Sequence, residues 1–293
     1  MFPPFLPALI TPFDEGGAVD HDAVAHNVRL LAGRGVAGFL LAGSNGEGPY
    51  LEPGEREALC RTTRAAAPDA FVLCGVAAES VRAALAQADE AHRGGAHAVL
   101  VGTPTTLVRD RHSLVVGFFE DVADAAALPV LLYSVPKVTG YDLPVDAALA
   151  AAAHENVAGI KDSGGHPGKA ASLAAESKPG FVVYAGASAA LALSVAAGAH
   201  GGITASANYA PALVGTVIEA SRRSLFEALP LQRRLAALAA AVEQHGIPGV
   251  KAAAASVGLH PGAARRPLRP PSREALDGIR RAMEAARRDE APD

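Results

Sequence analysis

The sequence has no tryptophan and only two cysteines and two methionines, and aromatic residues make up just 5% of it. Cys60 and Cys74 fall in an expected helix and an expected strand. Neither has metal-ligand spacing, which fits free thiols in a reducing cytosol. The ten histidines are scattered, with no His-Glu-x-x-His pattern or comparable ligand cluster, so neither metal-dependent chemistry nor a bound cofactor is expected. Gly168-Lys169 suggests a phosphate loop only loosely: Ala170 follows the lysine, and Ser163 stands at the first glycine position. Formal net charge is −4, without a basic block or a patch of interleaved aromatics, which excludes nucleic acid as a partner. No apolar run is long enough and free enough of turn residues to span a membrane. Met1-Phe2-Pro3-Pro4-Phe5 lacks the basic-then-apolar order of a signal peptide. The expectation is a soluble cytoplasmic protein.

What is present is a cadence. Half of the 293 residues are hydrophobic and 19% are charged, enough for one large α/β barrel or two ordinary domains. Short apolar runs predict strands at Pro7–Ile10, Gly38–Ala42, Phe71–Val76, Ala98–Gly102, Pro129–Tyr133, Val157–Lys161, Phe181–Ala185 and Gly201–Ala205. Helical spacing separates them: Val24, Val28 and Leu31 follow the cap candidate Asp20, and Val81, Leu85 and Ala88 follow Ser80. Such alternation predicts a parallel sheet with right-handed crossovers, and eight units suit a (β/α)8 TIM barrel over residues 1–224. An open doubly wound sheet would carry a glycine fingerprint after its first strand. Thr11-Pro12-Phe13-Asp14 stands there instead. Beyond that, residues 225–293 read as a C-terminal helical appendage packed on the barrel. Its helices are expected at Leu225–Glu243, Val250–Val257 and Ser272–Ala286, separated by Gly246-Ile247-Pro248-Gly249 and the Pro261–Pro271 loop. The charged tail Arg287–Asp293 is expected to fray.

In a barrel the loops after the strands share one face, and that face holds the active site. The chain has only five lysines: Lys137, Lys161, Lys169, Lys178 and Lys251. Only Lys161 closes an apolar strand-like run, Val157–Ile160. Desolvation disfavours an ammonium ion, leaving free amine to attack a carbonyl, as imine chemistry requires. A lysine at a strand end also simply reaches water in many proteins. The second strand runs into Gly43-Ser44-Asn45-Gly46-Glu47-Gly48, whose glycines let backbone N–H groups turn inward as a carboxylate clamp, although most such turns are only turns. Ser44 adds a hydroxyl, and Glu47 reads as a turn or cap carboxylate rather than a catalytic one. The fifth strand delivers Tyr133, either a proton shuttle or a core tyrosine with a satisfied hydroxyl. Clamp, phenol and amine thus converge on one mouth.

These motifs resemble the pyruvate-dependent class I aldolase family, which includes dihydrodipicolinate synthase and N-acetylneuraminate lyase. They are Gly43-Ser44-Asn45-Gly46-Glu47, Tyr133-Ser134-Val135-Pro136 with Thr139-Gly140, and Gly159-Ile160-Lys161-Asp162-Ser163. Pro49-Tyr50-Leu51, Tyr141-Asp142-Leu143-Pro144 and Gly246-Ile247-Pro248-Gly249 make the chain most similar to 4-hydroxy-2-oxoglutarate aldolase. The resemblance implies a lyase in which Lys161 forms a Schiff base with pyruvate or another 2-keto acid. Ser44 and Asn45 would hold the pyruvyl carboxylate, Tyr133 would relay protons, and Ser163, Gly186 and Ile203 would line the pocket. The protonated imine would itself act as electron sink, with no metal or cofactor. A small aldehyde or 2-keto acid would be the second partner, and the chain would form a homodimer or homotetramer. Two positions depart from the family pattern. Lys137-Val138 stands where dihydrodipicolinate synthases usually carry an arginine for the aldehyde's carboxylate. Thr103-Pro104-Thr105-Thr106-Leu107-Val108 has no tyrosine where the family places an aromatic pair. Three other readings therefore stay open beside a 4-hydroxy-2-oxoglutarate-type aldolase: a dihydrodipicolinate synthase-like enzyme, a dehydratase or decarboxylase using the same lysine, and a non-catalytic keto-acid binder.

Overall fold

The computed structural model describes residues 1–288. Its first half alternates β1 Phe5–Pro7, α1 His21–Ala32, β2 Gly38–Leu41, α2 Glu55–Ala66, β3 Phe71–Val76, α3 Val81–Arg93, β4 Ala98–Gly102 and α4 His112–Ala125. Then follow β5 Val130–Ser134, the single turn α5 Pro136–Thr139, α6 Val145–Ala152, β6 Val157–Asp162, α7 Pro167–Glu176, β7 Val182–Ala185, α8 Leu191–Ala196, β8 Gly201–Thr204 and α9 Pro211–Arg223. The strands pair in parallel in the order β1-β8-β7-β6-β5-β4-β3-β2, and a parallel bridge from Ala8 to Leu40 closes the ring. This is a (β/α)8 TIM barrel followed by C-terminal helices. The expected caps are in use: Asp20 accepts the Ala23 N–H at 2.9 Å and Ser80 the Ala83 N–H at 3.4 Å.

The first strand departs from expectation. It is regular over Phe5–Pro7 rather than Pro7–Ile10 because the chain then changes partner at every residue. The Ala8 N–H donates to Thr204 at 3.0 Å and the Leu9 N–H to Leu40 at 2.9 Å. The Ile10 N–H goes to the side-chain carbonyl of Asn208 at 3.2 Å, and Asn208 in turn donates to Ala8 O at 2.8 Å. A buried side chain that follows the adjacent strand β8, far along the chain, thus replaces a strand neighbour.

Alternation along the strands divides the core in two. Leu6, Leu40, Leu73, Leu100, Leu131, Tyr133 and Ile203 fill the lumen. Val72, Cys74, Val99, Val130, Leu132 and Ile160 pack outward among the helix-facing residues. Successive strand side chains take opposite faces, so an outward Ile160 puts Lys161 inside and Asp162 outside.

Three helices complete the described chain: α10 Leu225–Glu243, α11 Gly246–Ala255 and α12 Arg273–Arg288. Leu235 of α10 packs with Leu191, Leu213 and Val214 of α8 and α9. Val242, Val250, Ile279 and Met283 join the main core. The expected separator Gly246–Gly249 is instead the first turn of α11, and the junction shrinks to Gln244-His245. Pro248 is tolerated there because first-turn N–H groups have no intrahelical acceptor. Gly249 permits close contact with α10, since a Cβ would lie 2.4 Å from the Val242 carbonyl oxygen. Arg287 and Arg288, expected in the frayed tail, end α12, and the rest of that tail lies outside the described residues. Among the described residues no helix is long and apolar enough to cross a membrane.

Candidate active site

Lys161 sits near the C-terminal end of β6, 2% exposed, in register with Tyr133 of β5 and Tyr184 of β7. Its neighbours in the sheet fix what it meets. Nζ donates to the Tyr133 hydroxyl at 3.4 Å and lies 4.5 Å from the centre of that ring. Tyr184 faces the other end of the barrel, where its hydroxyl donates to the Pro3 carbonyl at 2.6 Å. One phenol therefore belongs to the mouth and the other to the floor.

Ser44, from the loop after β2, places its Oγ 3.2 Å from the Tyr133 hydroxyl. Burial alone would push the Tyr133 phenol up. The Lys161 charge, with hydrogen bonds from Ser44, Ser163 and Lys161, outweighs burial and brings the phenol below its ordinary value. A phenol held so close to an amine and a hydroxyl can exchange a proton with either. Ser163, after β6, joins this cluster only because Gly186 has no side chain: a Cβ there would lie 2.0 Å from Ser163 Oγ. The Gly186 N–H donates to the Asp162 carbonyl at 2.6 Å, tying the ends of β6 and β7 together.

The Gly43–Gly48 loop is held from three sides. Thr11 Oγ1 donates to Gly46 O at 2.7 Å, and Arg56 donates to Gly48 O at 2.6 Å and to Gly75 O at 3.2 Å. Gly48 packs so tightly that a Cβ would lie 1.9 Å from Ala42 O. Ser44 and Asn45 stay half-buried, open to the mouth. Glu47 is a buried anchor rather than a catalytic group, paired with Lys251 at 2.7 Å. Ile203, expected to line the pocket, is fully buried in the lumen cluster with Tyr133.

Sequence reasoning missed the support behind Lys161. Lys169 pairs with Asp162 Oδ2 and Asp142 Oδ1, each at 2.5 Å, and Ser134 donates to Asp142 at 3.0 Å. Asp162 also accepts the Gly164 N–H at 3.0 Å, so the outward neighbour of Lys161 braces the turn that carries Ser163. Lys169 is thus an ion-pair partner, not part of a phosphate loop. In the segment after β4, Glu79 accepts the N–H groups of Thr105 at 2.9 Å and Thr106 at 2.8 Å. Thr106 is exposed and Leu107 is 84% exposed, so neither enters this chain's own mouth. Val138, at the place of the family's arginine, is 66% exposed.

Residues 1–286 match the Dihydrodipicolinate synthetase family. The chain is 33% identical to 4-hydroxy-tetrahydrodipicolinate synthase 1 of Streptomyces coelicolor over 277 residues, covering 93% of this chain and 90% of the relative. It is 30% identical to the synthase of Methanosarcina mazei, covering 92% and 93%. A dihydrodipicolinate synthase structure from Bacillus anthracis superposes with TM-score 0.92 at 25% identity, covering 100% of this chain and 99% of that one. YagE of E. coli, a family member solved in complex with pyruvate, gives TM-score 0.90 at 25% identity, covering 98% and 99%. These names lend no support to the narrower likeness to 4-hydroxy-2-oxoglutarate aldolase. The chain belongs to the dihydrodipicolinate synthetase family of aldolase-type lyases.

Proposed function

We propose that this lyase forms an imine between Lys161 and pyruvate and joins the resulting enamine to a small aldehyde that carries a carboxylate. The observation that carries the reading is the buried Lys161 amine, 3.4 Å from a Tyr133 hydroxyl that in turn lies 3.2 Å from Ser44. The amine attacks the ketone carbon, and the former carbonyl oxygen leaves as water as the C=N bond forms. Tyr133 moves the protons of that exchange, with Ser44 as its neighbour in the relay. The half-buried Ser44–Asn45 backbone receives the pyruvyl carboxylate, and Ser163 meets a substrate hydroxyl. The protonated imine then accepts electrons as a proton leaves the pyruvyl methyl group, which makes the nucleophilic enamine.

The synthase names of the relatives support condensation with a carboxylated aldehyde. Val138 favours a second reading, cleavage of a 4-hydroxy-2-oxoglutarate-type substrate, because an apolar residue replaces the arginine that grips the aldehyde's carboxylate in synthases. Leu107 in the loop after β4, Leu114 in the first turn of α4 and Val138 in α5 are exposed, apolar surface that suits a dimer or a dimer of dimers. The first test is incubation with pyruvate and borohydride, followed by peptide mass spectrometry. An adduct on Lys161 is expected. An adduct that persists in Lys161→Ala, or none in folded wild type, sinks the imine reading. Product analysis with glyoxylate, succinate semialdehyde and aspartate 4-semialdehyde, and with 4-hydroxy-2-oxoglutarate in the cleavage direction, separates the two substrate readings.

A further inference from the structure

The contact between Tyr133 and Lys161 depends on how β5 lies against β6, and that pairing is irregular. Val130 stands opposite Val157, but Leu131 stands opposite Gly159, so β6 carries Ala158 as one residue more than β5. Among the described strand pairs only this one shifts register. Beyond the bulge, Leu132 faces Ile160, Tyr133 faces Lys161 and Ser134 faces Asp162. A slip of one residue there would set Lys161 opposite Leu132 or Ser134 and lose the phenol.

The last of these pairs is held from outside the barrel. Lys169, in the first turn of α7, places Nζ 2.5 Å from Asp162 Oδ2 and donates to Ser134 Oγ at 3.4 Å. The same nitrogen lies 2.5 Å from Asp142 Oδ1, which accepts the Ser134 hydroxyl at 3.0 Å. One ammonium thus joins the residue after Tyr133 to the residue after Lys161. Backbone bonds extend the tie to the mouth: Ser134 O accepts the Ser163 N–H at 2.9 Å, and Asp162 Oδ1 accepts the Gly164 N–H at 3.0 Å. Local preference does not explain a lysine here. Lys169 is the third residue of α7 after the cap His166, where the helix dipole favours anions. Its side chain is only 8% exposed, a position an ammonium keeps when it is paired. Asp142 and Asp162 offset both costs.

We propose that Lys169 is a positioning residue: its ion pairs lock β5 against β6 beyond the bulge and so hold the Tyr133 hydroxyl against the Lys161 amine. The role rests on the imine reading of the site. Lys169 touches neither substrate nor reacting atom and acts only through the two strand ends.

The test compares Lys169→Arg with the double variant Lys169→Met/Asp142→Asn, which removes the clamp but leaves the net charge of the cluster as it was. The readouts are the rate of borohydride-trapped imine formation at increasing pyruvate, the pH profile of that rate, and the melting temperature. At saturating pyruvate the double variant should form the Lys161 adduct about 10- to 100-fold more slowly, the cost of a displacement of about 1 Å at a reacting centre. The pyruvate concentration for half-maximal rate should stay within about 3-fold of wild type, because the Ser44–Asn45 loop is anchored elsewhere. The Tyr133 limb of the profile should move up toward the ordinary phenol value as the hydroxyl leaves the amine. Lys169→Arg keeps the cation and should recover most of the rate. A lower melting temperature with a trapping rate within about 3-fold of wild type overturns the role and leaves Lys169 a stabilising ion pair only. A slower rate with the wild-type limb unmoved overturns it too, as does Lys169→Arg trapping as slowly as the double variant. Should the double variant not fold, Asp142→Asn alone, at an exposed carboxylate, decides: trapping slowed about 3- to 10-fold is expected, and an unchanged rate overturns the role. No adduct in wild type removes the imine reading and this role together, whereas a wild-type adduct with unaffected variants removes only the role.

Discussion

Lys251 of α11 and Glu47 of the loop after β2 form an ion pair, Nζ to Oε1 2.7 Å, with both residues buried. Lys251 also donates to Thr11 O at 2.8 Å and Ala263 O at 2.5 Å, and Glu47 accepts the Arg265 N–H at 2.8 Å. The appendage is thereby fastened to the loop that carries Ser44 and Asn45. Removing one partner leaves the other charge buried and alone, a loss of about 3–5 kcal/mol. Lys251→Met and Glu47→Gln should each show a loss of that size in urea unfolding. The double variant Lys251→Met/Glu47→Leu should recover much of it. Losses that simply add would mean that the two charges do not act as a pair.

Gly186→Ala should damage the site more than the fold. The new methyl group would lie 2.0 Å from Ser163 Oγ and 3.1 Å from the Asp162 carbonyl oxygen, so the Ser163 turn must move. A displacement of about 1 Å at a reacting centre can cost on the order of 100-fold in rate. The expected outcome is a kcat/KM lowered about 10- to 100-fold with a melting temperature close to wild type. Unchanged kinetics would show that the position of Ser163 does not matter.

Tyr133→Phe keeps the ring beside Lys161 and removes the hydroxyl that meets Ser44, Ser163 and Lys161. Imine formation with pyruvate should slow about 100-fold or more, the usual weight of a positioned acid–base group. In wild type the lowered phenol makes its ionised form available below the ordinary value of about 10. A limb in that region of the trapping-rate profile should therefore vanish in the variant. Stopped trapping with borohydride over a pH series measures both effects.

The sequence announced those features whose causes are local. Lys161 closes the apolar run Val157–Ile160, so it was legible as a lysine at the end of a buried strand, and Tyr133 likewise stood at the end of a strand-like run. The features it concealed depend on distant partners. The first strand ends early because Asn208, after β8, takes the Ile10 N–H. Gly246-Ile247-Pro248-Gly249 carries turn chemistry, yet packing of α11 against α10 draws it into a helix. Glu47 reads correctly as a turn carboxylate, but nothing near it in the chain points to Lys251.

Arg265, in the loop between α11 and α12, grips Glu55 at the start of α2 in two places, Nη1 to Oε2 2.7 Å and Nη2 to Oε1 2.5 Å. Its guanidinium lies 4.2 Å from the centre of the Phe13 ring and also donates to Tyr50 O at 2.6 Å. Burial alone would raise the Glu55 carboxyl, but bonds from Arg265 and the Glu52 N–H, together with the Arg265 charge, hold it below the usual carboxylate range. An unfolded glutamate titrates near pH ~4.3, so between that value and the lower folded one the unfolded chain binds more protons. Stability therefore rises with pH across this window. The contribution is complete above the unfolded value and is lost as pH falls through the folded one. Glu55→Gln should lower stability at pH 7 by about 1.5–3 kcal/mol, the range for hydrogen bonds to charged groups, and flatten the acid limb below about pH 5. Arg265→Lys should not restore that limb, because a single ammonium cannot hold both carboxylate oxygens in the same fork. Urea midpoints of wild type and both variants from neutral pH down to about pH 4 measure the slope, and a Glu55→Gln curve parallel to wild type would place the source of acid sensitivity elsewhere.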